Sequence, residues 1–390
     1  MRSTPAGPLA RGVRAAGRKV AVQVQEQEQR MADHSVKVGI IGLGRSGWSI
    51  HAQAMKTMLG RFQVVAVTDA NAERALQSAA ELGCRRHESI EALLADPEVE
   101  LVIVSTFNYL HAAHAILALR AGKHVLCEKP FGLTLAEVDA MTAAAQAAGR
   151  ILAPFQQRRY EPDFQKIKEV IDSGILGEIV HIRLAWQGFG RRWDWQTSRA
   201  FGGGNLNNNG PHPLDHAMVL FGEGEPQVWA QASRHLCSGD AEDHLKVILY
   251  GAGRPTVEIE LTSVWPFAQD RWVVAGTRGG LRGHERRLEW KWVDFSGMPE
   301  RPLDLNPTPD RSYNSEKLEW QTATWEPGGE VQAGGAGAPP PVDSVQAFYA
   351  DFHRALCQGA PLVITPAAVR RRVAVMEKIR QVAGIAAVSR

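Results

Sequence analysis

The chain has 390 residues, 44% hydrophobic and 22% charged, with a formal net charge of +2. That is the balance of a globular protein of about two to three domains. No apolar run reaches the ~18 residues that a membrane-spanning helix needs, so a membrane span is not expected. The small positive charge is unevenly placed. Residues 1–30 hold six Lys/Arg against two Glu, leaving 38 basic against 40 acidic residues elsewhere. The basic excess therefore belongs to the extension, is no footprint for nucleic acid, and leaves none expected as a partner. Cys84, Cys127, Cys237 and Cys357 are scattered without a C-x-x-C pair, which points to a reducing, cytoplasmic setting with no metal site.

Residues 1–36 read as an extension. They are either disordered or the product of a start placed upstream of Met31, and they lack the apolar core of a secretory signal. The folded part opens with the apolar run Val38–Ile41, broken by Gly42-Leu43-Gly44-Arg45-Ser46-Gly47. An amphipathic stretch follows to Leu59. A second run, Val64–Thr68, ends at Asp69, and Asn71 opens a helix to Leu82. Further runs lie at Leu101–Val104, His124–Leu126 and Ile151–Phe155, each separated by a helical stretch. Buried strands alternating with helices predict a doubly wound parallel sheet over 37–155, with ligand at the carboxyl ends of its strands.

After Phe155 the pattern changes. A helix near Asp163–Ile171 precedes strand-like stretches at Ile179–Trp186, Val228–Arg234, His244–Leu249, Thr256–Thr262, Trp272–Ala275 and Leu288–Val293. Successive strands predict an α+β domain with an open, mostly antiparallel sheet. Residues 327–341 are rich in Gly and Pro and read as a surface loop. Helices at Ser344–Gln358 and Pro366–Ile385 close the chain. Residues 156–390 are thus expected to form this second domain.

The spacing Gly42-x-Gly44-x-x-Gly47 gains meaning from its place between a strand and a helix. In that context Gly42 allows the turn, Gly44 lets backbone approach a pyrophosphate and Gly47 lets helix and sheet pack closely. The helix start at Arg45-Ser46 then offers N–H groups to the anion. Asp69 ends the second strand 22 residues beyond Gly47, where a carboxylate accepts from the adenosine ribose. It repels a 2′-phosphate, which favours NAD over NADP as cofactor.

Four further segments carry a resemblance. They are Thr106-Phe107-Asn108-Tyr109-Leu110-His111, the run Ala121-Gly122-Lys123-His124-Val125-Leu126-Cys127-Glu128-Lys129-Pro130, Phe155-Gln156-Gln157-Arg158-Arg159-Tyr160, and Gly202–Gly204 through Gly210-Pro211-His212-Pro213-Leu214-Asp215. With the glycine loop, they make the chain resemble the Gfo/Idh/MocA oxidoreductases, and the Phe155–Arg159 segment is similar to that of inositol and scyllo-inositol dehydrogenases. The resemblance implies a Rossmann domain, a dimer or tetramer built on the C-terminal sheet, and a cis Lys129–Pro130 peptide. It places Glu128 and Lys129 beside the nicotinamide and lines that side with Thr106, Asn108 and His111.

The implied activity is hydride transfer between nicotinamide and a hydroxyl carbon of a sugar, sugar derivative or inositol, with Lys129 and His212 relaying the proton. Two other readings are bond cleavage assisted by transient oxidation with the cofactor retained, and a non-catalytic sugar or dinucleotide sensor. One position departs from the family pattern. Asn208 stands four residues before His212, where an Asp is usual; an Asn can orient the imidazole but cannot charge it. Asp215, three residues after His212, is a second candidate partner. Arg158, Tyr160, Trp193 and Trp195, with Asn208 and His212, are the candidate substrate contacts, and Trp186, Arg191, Arg192 and Asp194 lie in the same cluster.

Overall fold

The computed structural model describes residues 34–308, 310–327 and 342–386. Most of the N-terminal extension and of the Gly/Pro-rich stretch at 327–341 lies outside the described residues.

The first sheet has six strands in the order β3-β2-β1-β4-β5-β6. They are β1 (Val36–Ile41), β2 (Phe62–Thr68), β3 (Arg85–Arg86), β4 (Leu101–Val104), β5 (His124–Cys127) and β6 (Leu152–Pro154), and every pairing is parallel. Leu101, Val102, Ile103 and Val104 are all fully buried, as expected of a strand covered on both faces. The helices have local reasons to start and stop. Asn71 caps α2 (Ala72–Leu82) through the Arg74 N–H at 3.0 Å, and Gly83 ends it in the left-handed region. Thr134 caps α5 (Leu135–Ala148) through the Glu137 N–H. Between β1 and β2, a π-helical turn (Ser46–Ala52) runs into the short α1 (Gln53–Thr57). The remaining helices of this half are α3 (Ile90–Ala95) and α4 (His111–Arg120). Beyond the sequence-based expectations lie β3 and α3, both too short to show a period.

The second sheet has eight strands in the order β14-β13-β12-β11-β7-β10-β9-β8. The six anticipated strands are present as β7 (Ile179–Gln187), β8 (Gln227–Ser233), β9 (His244–Tyr250), β10 (Thr256–Thr262), β11 (Trp272–Gly276) and β13 (Arg287–Trp292). Two more are present: β12 (Gly279–His284) lies between β11 and β13, and β14 (Gln321–Trp325) forms the edge beyond β13. The pairings are antiparallel except β7 with β10. One face is covered by α6 (Pro162–Asp172), α8 (Pro211–Phe221) and α10 (Pro366–Val382), whose Phe164, Ile167, Leu214, Phe221, Met376 and Ile379 share a core with Leu184, Val247 and Ile259 of the strands, and the one-turn α7 (Asn205–Asn208) leads into α8.

Helix α9 (Val342–Gln358) departs from a simple division at residue 156. Its Phe348, Tyr349 and Phe352 lie in the first core, with Phe62 and Phe155. After building the second sheet, the chain returns to brace the dinucleotide domain.

Candidate active site

The site begins where the strands of the first sheet end. Gly42 follows β1 with φ of +91°, and a side-chain Cβ there would lie 2.6 Å from the Ser105 carbonyl oxygen. Ser105, just beyond β4, donates its hydroxyl back to the Gly42 carbonyl at 2.7 Å. A Cβ at Gly47 would lie 1.9 Å from the same carbonyl, whereas one at Gly44 would meet nothing within 4 Å. Two glycines therefore serve the protein's own packing, and the third leaves open space over the turn, as a pyrophosphate cradle requires. Asp69 ends β2 and joins the turn: its Oδ2 accepts from the Leu43 N–H at 2.6 Å and its Oδ1 from the Asn71 N–H at 2.8 Å. Arg74 lies 3.5 Å from its Oδ2. These residues fit a dinucleotide: Gly44 to Ser46 would hold its pyrophosphate and Asp69 its ribose.

Beyond β5 the chain turns through Glu128, Lys129 and a cis peptide to Pro130. Glu128 is buried. Its Oε2 accepts from the Lys129 N–H at 2.8 Å, and its Oε1 lies 3.2 Å from His51 Nε2 in the π-turn. Burial alone would raise its pKa, but His51 and Lys129 hold it down at about 2. Tyr349 of α9 closes this line at 2.6 Å from His51 Nδ1. Glu128 thus braces Lys129 from behind. The Lys129 ammonium donates to the Asn208 backbone carbonyl at 2.8 Å, crossing to the second domain. Burial pulls its pKa down to about 8; Glu128 opposes this, and Arg158, Arg45 and Arg192 add to it.

The Thr106–His111 segment crosses at the same level. The Thr106 hydroxyl lies 3.1 Å from His114 Nδ1. Asn108 is buried and donates to the Gly202 carbonyl at 2.8 Å and to the Asn208 side-chain oxygen at 3.2 Å. Phe107 packs against Trp195 and Phe201, with ring centres 5.0 and 5.2 Å apart. His111 is placed for support: buried, with Nδ1 2.8 Å from the Pro130 carbonyl, it holds the cis turn from below.

His212 opens α8 and lies nearly parallel to Trp186, with ring centres 5.9 Å apart. The guanidinium groups of Arg158 and Arg271 lie over Trp186 at 4.9 and 4.6 Å. Burial and the cations Arg158, Lys129 and Arg372 push His212 well below the usual imidazole pKa, so it is neutral. Neither expected partner touches it. The Asn208 amide donates to the Gln196 carbonyl at 2.7 Å and faces Asn108. Asp215 is gripped by Arg159 at 2.6 and 2.9 Å. The partner is Gln156, whose Nε2 lies 3.1 Å from His212 Nδ1 and whose Oε1 accepts from Arg372 at 2.7 Å. Gln156 sits inside the Phe155–Tyr160 segment, but nothing in its spacing singled it out. Arg372, from α10, carried no signal at all.

Of the other candidates, Arg158 is buried and paired with Glu161, beside His212. Trp195 belongs to the aromatic group around Phe107, and Trp193 is 79% exposed. Tyr160 is turned away: its hydroxyl donates to Asp351 of α9, and its ring packs on Phe348. The four cysteines are free, and among the described residues no cluster of three or more His, Cys, Asp and Glu is arranged to hold a metal ion. No helix among the described residues is long and apolar enough to cross a membrane.

Comparison with known proteins agrees with this geometry. Residues 36–155 match the model of the oxidoreductase family with an NAD-binding Rossmann fold, and residues 164–282 match a GFO/IDH/MocA C-terminal domain. An uncharacterised oxidoreductase of Schizosaccharomyces pombe is 27% identical, over 82% of this chain and 88% of its own. Inositol 2-dehydrogenase 2 of Saccharopolyspora erythraea is 28% identical, over 74% and 85%. The crystal structure of an NAD-binding protein from Listeria innocua superposes with a TM-score of 0.73 and 26% identity, covering 92% of this chain and 98% of that one. Sheet order, cofactor cradle and matched domains together establish that this chain belongs to the Gfo/Idh/MocA family of NAD-binding oxidoreductases.

Proposed function

We propose that the protein is an NAD-dependent dehydrogenase acting on a hydroxyl carbon of a sugar, sugar derivative or inositol. The observation that carries this reading is Lys129: a partly buried amine at the junction of the two domains, with its pKa brought down to about 8 and its position fixed by the Asn208 carbonyl. Bound nicotinamide supplies the hydride acceptor for alcohol oxidation. Lys129, as the free amine, takes the hydroxyl proton; as ammonium it returns the proton in the reverse direction. His212 stands beside it to contact the same oxygen. Arg158 and Trp186 form the wall behind His212, and Trp195 with Phe107 offers an apolar face that suits the C–H face of a polyol ring.

Asp69 favours NAD, since its carboxylate accepts from ribose hydroxyls and repels a 2′-phosphate. Its pairing with Arg74 softens that repulsion and leaves NADP as the weaker cofactor. The likeness to an inositol dehydrogenase supports a cyclic polyol as substrate. The face of the second sheet turned away from its helices carries the exposed Trp229, which supports a homodimer or homotetramer assembled through that face. The test is a screen of inositols and sugars with NAD and NADP, read by absorbance of the reduced nicotinamide. Reduction of NAD by at least one polyol is expected. Binding of polyol and NAD without any reduction would instead make the protein a sensor.

A further inference from the structure

We infer that Gln156 and Arg372 set the tautomer of His212, so that this residue meets the substrate oxygen as an N–H donor and not as a proton acceptor. The inference rests on the proposed dehydrogenase site and assigns the roles within it.

The chain of contacts starts at α10. Arg372 is fully buried. A guanidinium has donors only, and Arg372 remains charged at neutral pH, with burial bringing its pKa down only to about 10. Whatever faces it must accept. The Gln156 atom 2.7 Å from Arg372 is therefore the amide oxygen, and chemistry fixes this choice between amide oxygen and nitrogen. The Gln156 amide nitrogen then faces His212 Nδ1 at 3.1 Å. An amide N–H₂ donates and has no lone pair to offer, so Nδ1 must be the acceptor. A neutral imidazole carries one proton, and with Nδ1 bare that proton sits on Nε2. Among the described residues Nε2 has no hydrogen-bond partner, which leaves it for a ligand.

The surroundings keep the ring in this state. Arg158, Lys129, Arg372 and His216 are the charged or titratable groups acting on His212, and all disfavour a second proton. Asp215, the nearest carboxylate along α8, is neutralised by Arg159, with Arg372 at 3.4 Å. Arg372 and Gln156 are positioning residues: they act on the substrate only through His212, as outer partners orient a functional histidine elsewhere. The division of labour follows. In alcohol oxidation the hydroxyl proton passes to Lys129 Nζ while His212 Nε2–H holds the oxygen throughout; a bound nicotinamide would accept the hydride. Asn208 fits this scheme: its side chain is engaged by Gln196 and Asn108 and brings no charge to the site.

Two measurements test it. In the full-length protein labelled with ¹⁵N-histidine, long-range ¹H–¹⁵N correlations should show His212 protonated at Nε2 and bare at Nδ1 at pH 7.5, the signals being assigned by their loss in His212→Asn. A ring protonated at Nδ1, alone or with Nε2, overturns the inference. This measurement needs no substrate, so its outcome is independent of whether polyols turn over. The kinetic test uses Gln156→Glu, whose carboxylate accepts from Nδ1–H and so moves the proton off Nε2. At pH 8 its kcat/KM should fall by about 10- to 100-fold. The ratio of variant to wild type should then climb as pH falls and the ring gains a second proton, restoring Nε2–H. If His212 instead accepts the proton, the variant keeps or gains activity at pH 8 and the ratio falls with acid. Gln156→Met, which leaves Nδ1 unpartnered, should give a smaller loss with a flat ratio, and an acid-rising ratio there would contradict the tautomer assignment.

Discussion

Asp69 joins the glycine turn to the cofactor. Its two oxygens already hold the Leu43 and Asn71 N–H groups, so removing the side chain would disturb the turn as well as the ribose site. Asp69→Asn removes the charge and keeps one of the two accepting oxygens, so the ratio of NAD to NADP affinity isolates the charge, because a loosened turn weakens both cofactors alike. NAD affinity should fall about tenfold, the order expected for one charge-assisted hydrogen bond, while NADP affinity falls less or rises. Titrating both cofactors against the variant checks this; an unchanged NAD-to-NADP ratio would remove Asp69 from cofactor selection. At this scale the sequence was partly legible. Gly42, Gly47 and Asp69 stood out through spacing and flanking strands, and Lys129 through the family resemblance of its segment. Gln156 and Arg372 did not, since they are 216 positions apart and only the packing of α10 against the second sheet brings them together. Asn208 and Asp215 were the near-sequence candidates for His212, yet each has stronger partners elsewhere.

The strand–turn–helix element separates packing from binding in one short stretch. Gly47→Ala would drive a Cβ to 1.9 Å from the Gly42 carbonyl, a backbone atom that cannot swing aside. We expect a loss of about 2 kcal/mol and a Tm lower by roughly 5 °C. Gly44→Ala meets no protein atom, so its Tm without cofactor should match the wild type, while NAD affinity drops at least about tenfold as the new methyl occupies the pyrophosphate's approach. Thermal melts with and without NAD distinguish the two. Equal destabilisation by both substitutions would show that the cradle is not where Gly44 opens it. The parallel strands were readable because burial on both faces leaves unbroken Val/Ile/Leu runs, as in Leu101–Val104. By contrast β12 begins Gly279-Gly280 and holds a single large apolar residue, Leu281, and β14 is a five-residue edge strand whose side chains are all exposed or half-buried.

At the scale of the whole molecule, the two domains share buried charge and so share a response to acid. Burial depresses His111 and His212, and His216 to about 4, against about 6.5 in an unfolded chain. Below pH 6.5 the unfolded chain binds protons that the native protein refuses, so stability falls as pH falls. Glu128 and Glu161 extend the trend. Despite burial, His51 with Lys129 and Arg271 with Arg158 hold these carboxylates at about 2, so their stabilisation is present above about pH 4.5 and is lost as pH approaches 2. Tm should be nearly level from pH 8 to 7, decline from 6.5 and steepen below 4.5. His212→Asn should reduce the slope between pH 6.5 and 5, whatever it does to absolute stability. A flat Tm across that interval would contradict the buried neutral histidines. The two-domain division was legible in the sequence from the change of period after Phe155. The return of α9 to the first core was not, because an amphipathic helix shows that it has an apolar face without showing which core receives it.

Everything proposed for the reaction turns on Lys129 moving the substrate's proton. The most direct measurement is kcat/KM for polyol oxidation against pH, for wild type and Lys129→Ala, beside NAD titration of both proteins. The wild-type rate should rise through a limb near pH 8, where the free amine forms. Lys129→Ala should lose about 10²- to 10⁴-fold in kcat, show no such limb, and bind NAD within about threefold of wild type, since its contacts to the protein lie outside the pyrophosphate cradle. A variant that keeps most of its rate, or that retains the limb, would contradict this role for Lys129.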